Sequence, residues 1–102
     1  NIVAWGRVVK DSGLSSGDHF GILSVTNTAQ GTYLVTLDAS MTSGYQLIPM
    51  AIVEVDAPPV NAGLARNIYV DQSNVISNFT VYVTDGNHSL TNNDFLLMVT
   101  GR

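Results

Sequence analysis

The chain has no cysteine. That excludes a disulfide framework, a thiolate nucleophile and any cysteine-based metal site, and it leaves the redox compartment open. Cations are nearly as scarce, with Arg7, Lys10, Arg66 and Arg102 making up the whole set. Four scattered positive charges cannot neutralise a run of phosphates, so nucleic acid is not an expected partner, and neither is an anionic membrane surface. No apolar run approaches the ~20 residues that span a bilayer, so membrane insertion is not expected either. Charged residues of both signs make up 12% of the chain, against about 25% in ordinary soluble domains. The polar surface must therefore be built from Ser, Thr, Asn and Gln. No window carries helical periodicity, and no internal repeat or low-complexity segment is present. No signal peptide is visible, and Asn1 opens inside what reads as a strand.

What the chain does have is Val, Ile, Thr, Tyr and Phe in short alternating segments separated by turn residues. Seven strands are predicted: Ile2–Val9, Phe20–Asn27, Thr32–Asp38, Tyr45–Val55, Asn67–Asp71, Val75–Thr84 and Asp94–Gly101. "TAQG" at residues 28–31 reads as a hairpin connection, and "DGNHSLTNND" at residues 85–94 as a polar loop before the last strand. "DAPPVNAGLA" at residues 56–65 is the longest irregular piece, because Pro58-Pro59 forbids a helix or a central strand there. Short strands at this spacing predict an all-β fold, an antiparallel β-sandwich of about seven strands with jelly-roll or Greek-key-like connections. At 102 residues the chain makes one domain, and it buries roughly two-thirds of its unfolded surface without staples.

Three strands break the one-face rule of a sandwich. Ile2–Val9 carries Ile2, Ala4 and Val8 on one side and Val3, Trp5 and Val9 on the other. Tyr45–Val55 sets Leu47, Pro49, Ala51, Val53 and Val55 against Ile48, Met50 and Ile52, and Phe95–Val99 has no polar residue at all. A two-layer sandwich has no third layer to cover the second faces, so a homo-oligomer is expected.

Catalytic constellations are hard to assemble. There is no G-x-S-x-G, and both histidines, His19 and His88, read as loop residues beside serines that suit turns. Glu54 and Asp56 could share a face at a strand end, but such a pair also suits a strand turning into solvent. Asp85-Gly86-Asn87-His88-Ser89 resembles the first half of a calcium loop, yet Leu90 stands where the sharp-turn Gly belongs and Leu96 where the bidentate Glu belongs. Asn78-Phe79-Thr80 and Asn87-His88-Ser89 fit the N-glycosylation pattern, which arises by chance in such a chain. No enzymatic activity, metal or cofactor is expected. What remains is a surface of amides and hydroxyls with a few aromatics, the chemistry that binds sugars and polar polymers.

The segment "SVTNTAQGTYLVTLDASMTSGYQLIPMA" at residues 24–51 resembles a stretch that recurs in phage tail-fibre C-terminal domains. There a Ser-Val-Thr strand precedes a Gly-x-Tyr strand, a polar turn, a small-residue connection and an x-Tyr strand. "AWGRV" at residues 4–8 and "NFTVYVTDGNHSLTNNDFLLMVTG" at residues 78–101 are similar to the first and last strands of those domains. The region 56–71 departs from the pattern. Related knob-like sandwiches, including those similar to complement C1q heads, are trimers at the end of a fibre. The resemblance implies a homotrimeric tip domain, the C-terminal fragment of a longer fibre protein, carried on the virion and touching a host-surface glycan or protein. A knob that only trimerises or caps the fibre is one alternative. A carbohydrate-binding module of a secreted bacterial protein is another, although it calls for a monomer with an aromatic strip, and Trp5 and the tyrosines fall mostly on strands. In a fibre tip the receptor is read by loops. The expected contacts are Asp85, Asn87, His88, Asn92 and Asn93 in the last loop, with Asn61 and Arg66 beside the Pro-Pro segment.

Overall fold

The computed structural model describes residues 1–71 and 77–102. Among these the alternating segments become eight strands and one helical turn: β1 (Ile2–Val9), β2 (Gly13–Phe20), β3 (Ile22–Ala29), β4 (Thr32–Leu37), α1 (Ala39–Thr42), β5 (Leu47–Val53), β6 (Arg66–Asp71), β7 (Asn78–Asp85) and β8 (Phe95–Gly101). The strands form two four-stranded sheets, in the orders β2-β1-β8-β5 and β3-β4-β7-β6. Every neighbouring pair is antiparallel. The two sheets pack face to face as the expected all-β sandwich. The chain crosses between them after β2, β4, β5 and β7, so strands distant in sequence, β1 with β8 and β4 with β7, meet at the sheet centres.

The core is the inner face of both sheets. Val8, Phe95, Leu97 and Val99 come from the first, and Val25, Tyr33, Val35, Val81 and Val83 from the second. Tyr33 meets Phe95 edge to face, with ring centroids 4.9 Å apart and planes at 72°, a favoured aromatic arrangement. Its hydroxyl donates to the Lys10 carbonyl at 2.7 Å and accepts from the Asn93 amide at 3.2 Å. Burial pushes its pKa above the usual tyrosine value, because a phenolate there would lose its water.

The sequence reading misses one strand. Gly13–Phe20, "GLSSGDHF", has two glycines and two serines and reads as a turn cluster. It is a strand because the turn at residues 10–12 folds it back on β1, with the Ser12 amide donating to the Val9 carbonyl at 3.1 Å. Val9 then pairs with Gly13 and Trp5 with Phe20. Pairing with a strongly apolar neighbour overrides the weak local propensity. In β1 the register slips between Ile2 and Ala4, so Val3 and Ala4 both face inward and Ile2 faces out. That bulge corrects the strict alternation expected for this strand. The expected strand from Val75 begins outside the described residues, and within them β7 starts at Asn78.

Asp38 is a helix cap rather than a strand residue. Its Oδ1 accepts from the Ser40 amide at 3.0 Å and the Ser40 hydroxyl at 2.7 Å. Four helical residues are too few to leave a periodic signal, but they turn the chain from β4 toward β5. The first crossing is made at Gly21, whose φ of +71° and contact with the Val3 carbonyl oxygen leave no room for a Cβ.

Candidate functional site

The last loop is built from its hydrogen bonds. Asp85 closes β7, and its Oδ1 accepts from the amides of Asn87 at 2.8 Å and Ser89 at 3.1 Å. His88 takes the left-handed conformation at φ 65° to complete the turn. Asn92 then pairs amide to amide with Asn27: Asn27 Nδ2 donates to Asn92 Oδ1 at 3.2 Å, and Asn92 Nδ2 donates to Asn27 Oδ1 at 3.0 Å. Asn92 also accepts from the Gly31 amide at 2.7 Å and donates to Asp11 at 3.0 Å. Asn93 donates to the carbonyls of Glu54 at 2.6 Å and Asp94 at 2.9 Å, and its Oδ1 accepts from Arg66 Nε at 2.9 Å. Arg66 Nη1 donates to the Gly63 and Ala65 carbonyls at 2.8 Å each. Asn61 Oδ1 accepts from the Leu64 amide at 3.0 Å.

These bonds bring Arg66, Asn92 and Asn93 together at one end of the sandwich, where they line a cleft of about 190 Å³ with Lys10, Glu54 and Asp56. They also sort the seven expected contact residues. Asp85, Asn92, Asn93, Asn61 and Arg66 use their side chains to fix loop shape. Asn87 and His88 are exposed and make no side-chain hydrogen bond among the described residues. Glu54 and Asp56 both border the cleft, with Glu54 Oε2 3.5 Å from Arg7 Nη2 and Asp56 in the irregular segment, where acidic residues at a strand end meet solvent. Among the described residues no group of three His, Asp or Glu side chains converges as a metal site would require.

The larger features are the two outer faces. On the first sheet, outward residues fall into rows across the strands. Phe20, Trp5, Met98 and Met50 form one row. Arg7, Leu96 and Ile52 form the next, and Ile2, Thr100 and Ile48 another. Ile48 and Ile52 are 64% and 65% exposed. A groove of about 760 Å³ runs over this face, lined by Trp5, Met50, Ile52, Leu96 and Met98, with Arg7 and Asp18 at its rim. A contiguous apolar surface of this kind marks a contact site in soluble proteins.

The outer face of the second sheet is of the opposite kind. Its rows read Ser24, Thr36, Asn78; then Thr26, Leu34, Thr80, Asp71; then Thr32, Tyr82, Tyr69. Among the described residues Leu23 and Leu34 are its exposed aliphatic residues, and the rest are hydroxyls, amides, one carboxylate and two tyrosines. The sequence reading singles out neither the Tyr69–Tyr82 pair nor the Asn27–Asn92 amide pair. Tyr69 meets Tyr82 through strand register and Asn27 meets Asn92 through a loop folded against β3, and neither relation is written in any single segment.

Comparison with protein-family models, curated proteins and solved structures returns no match.

Proposed function

We propose that this chain is the homotrimeric receptor-binding tip domain of a phage tail fibre, a non-enzymatic adhesion module that attaches the virion to the host surface. The observation that carries the reading is the apolar outer face of β2-β1-β8-β5. Water disfavours leaving Trp5, Ile48, Met50, Ile52, Leu96 and Met98 on one surface, and burial of each large apolar side chain is worth about 1.5–3 kcal/mol. Copies of the same chain are the simplest cover, because the charges that would keep like surfaces apart are sparse. The number three comes from the resemblance of residues 4–8, 24–51 and 78–101 to fibre-tip strands. Receptor contact in this reading passes through Asn87 and His88 at the tip of a loop whose shape Asp85, Asn92 and Asn93 hold.

Light scattering at micromolar concentration tests the assembly, with an expected mass three times the 10.9 kDa chain. A monomer overturns the reading. A dimer keeps the apolar face as an interface and removes the fibre-tip assignment. A preparation that cleaves a polysaccharide, and stops when Glu54 is changed to Gln, overturns the non-enzymatic part.

A further inference from the structure

We propose that the outer face of β3-β4-β7-β6 is a binding platform for a neutral glycan chain, centred on Tyr69 and Tyr82. The inference rests on the tip reading for its orientation: if copies cover the first sheet, this second face is the one left to meet the outside.

Tyr69 on β6 and Tyr82 on β7 are direct cross-strand partners, and Thr32 on β4 lies opposite Tyr82. Ile68, Val70, Val81 and Val83 on either side of them pack into the core, so both rings stand on the outer face. Tyr69 is 47% exposed. With strands about 4.8 Å apart, the row Thr32–Tyr82–Tyr69 extends about 10 Å across the sheet. Tyrosine is suited to such a surface. Its ring covers the C–H side of a sugar, its hydroxyl meets a sugar hydroxyl, and only two side-chain torsions have to be ordered. Asn67, two residues before Tyr69, supplies an amide, and Thr80, two residues before Tyr82, a hydroxyl. These are donors and acceptors of the kind that sugar hydroxyls pair with.

Electrostatics select the class of sugar. Among the described residues Asp71 is the charged residue in the rows of this face. Arg66, the cation at the start of β6, donates through Nε to Asn93 and through Nη1 to Gly63 and Ala65. The chain as a whole carries a formal charge of -4. That net negative charge disfavours a uronate or phosphate on the glycan. A neutral polymer has no such penalty.

Tyrosines also stabilise sheets simply by pairing across strands, so the test must separate binding from folding. Native gels containing dextran, mannan or galactan, beside one containing polygalacturonate, supply the probes. The parent chain is expected to be retarded in at least one neutral gel and not in polygalacturonate. Tyr69→Thr and Tyr82→Thr keep a good strand former, and each is expected to weaken that retardation by about tenfold. Tyr69→Phe keeps the ring and is expected to retain most of it. Retardation in no neutral gel, retardation by polygalacturonate alone, or full retardation of Tyr69→Thr overturns the platform. Light scattering on the same samples separates the two proposals. A trimer without retardation removes the platform and leaves the tip reading. A retarded monomer removes the tip reading and leaves the platform.

Discussion

Along one row of the first sheet the outward side chains are Phe20, Trp5, Met98 and Met50. Along a row of the second they are Thr26, Leu34, Thr80 and Asp71. The inward residues of the same strands are alike, since both sheets turn Val, Leu and Phe to a shared core. The inner faces are therefore set by folding and the outer faces by something else. Alternation of apolar and polar residues is the ordinary result when one face meets water. The second sheet follows it and the first does not. The two-sided strands of the sequence turn out to be β1, β8 and β5, three neighbours in one sheet, so their second faces make one continuous surface rather than scattered exposed residues.

The sharpest way to break this comparison is to put the same charge on each face. Met98 lies at the middle of the apolar rows, and Thr80 lies on a central strand of the other sheet. Met98→Glu would bury an unpaired carboxylate in any self-contact through the first sheet, a penalty large enough to weaken association by at least about a hundredfold. Thr80→Glu adds one more acceptor to a face that already holds Asp71. Sedimentation or light scattering is expected to find the parent mass for Thr80→Glu and a monomer for Met98→Glu. Equal masses for the two variants would mean that the faces do not differ in the way their composition indicates.

A smaller effect is expected at the seam between the sheets. Asn92 ties the Gly31 amide and Asn27, from the hairpin of the second sheet, to Asp11 in the β1–β2 turn. Asn92→Ala would leave those groups without their partner, at a cost of about 1–3 kcal/mol. For a domain of this size that lowers Tm by about 4–8 °C per kcal/mol. Changing Asn87 and His88 together to Ala is expected to cost less than Asn92→Ala, because both side chains are exposed and make no hydrogen bond among the described residues, while host-cell binding is lost if the loop tip carries it. The pair of variants separates a residue that shapes the loop from residues that present it. If Asn92→Ala melts with the parent, the amide pair holds nothing, and the division drawn among the loop residues fails.

How much of this was legible beforehand depended on whether a property lives within one strand or between strands. Enrichment in Val, Ile, Thr, Tyr and Phe between turn residues located Ile2–Val9 to the residue, and the remaining expected strands within the described residues to a few residues at either end. The two-sidedness of Ile48, Met50 and Ile52 against Leu47, Ala51 and Val53 was equally visible, because it belongs to a single segment. β2 was not, since Gly13, Gly17 and its serines have the composition of a turn and only β1 makes them a strand. The Val3–Ala4 bulge was not, because an inserted residue looks locally like alternation. Polar composition picked out the last loop correctly as a loop. It could not tell Asn92 and Asn93, whose amides are spent on Asn27, Gly31, Glu54 and Arg66, from Asn87, whose amide is not. All three are polar loop asparagines in sequence, and only the folded ends of other strands distinguish them.

The smallest expected effect lies at the joint where the chain leaves the second sheet for the first. Asp38 caps α1 there, and its carboxyl pKa is held below the usual carboxylate value. The hydrogen bond from the Ser40 hydroxyl contributes most and that from the Ser40 amide next, with slight burial opposing them. Both bonds favour the charged form. A carboxyl whose pKa is lower in the folded than in the unfolded state adds stability that is fully present above the unfolded value. That stability is lost as pH falls through the folded value, and below both the group is protonated in either state and adds nothing. Asp38→Asn keeps a side-chain oxygen able to accept from Ser40 but removes the titration. Urea midpoints of parent and Asp38→Asn, followed from about pH 6 to about pH 2, are expected to differ most at the upper end and to converge toward the lower. A gap of constant size across that range would mean that the carboxylate contributes nothing through its charge. Because Asp38 lies on neither outer face, the variant is also expected to keep the parent's mass at neutral pH. A change in mass would show that the joint, as well as the apolar rows of β1, β8 and β5, takes part in assembly.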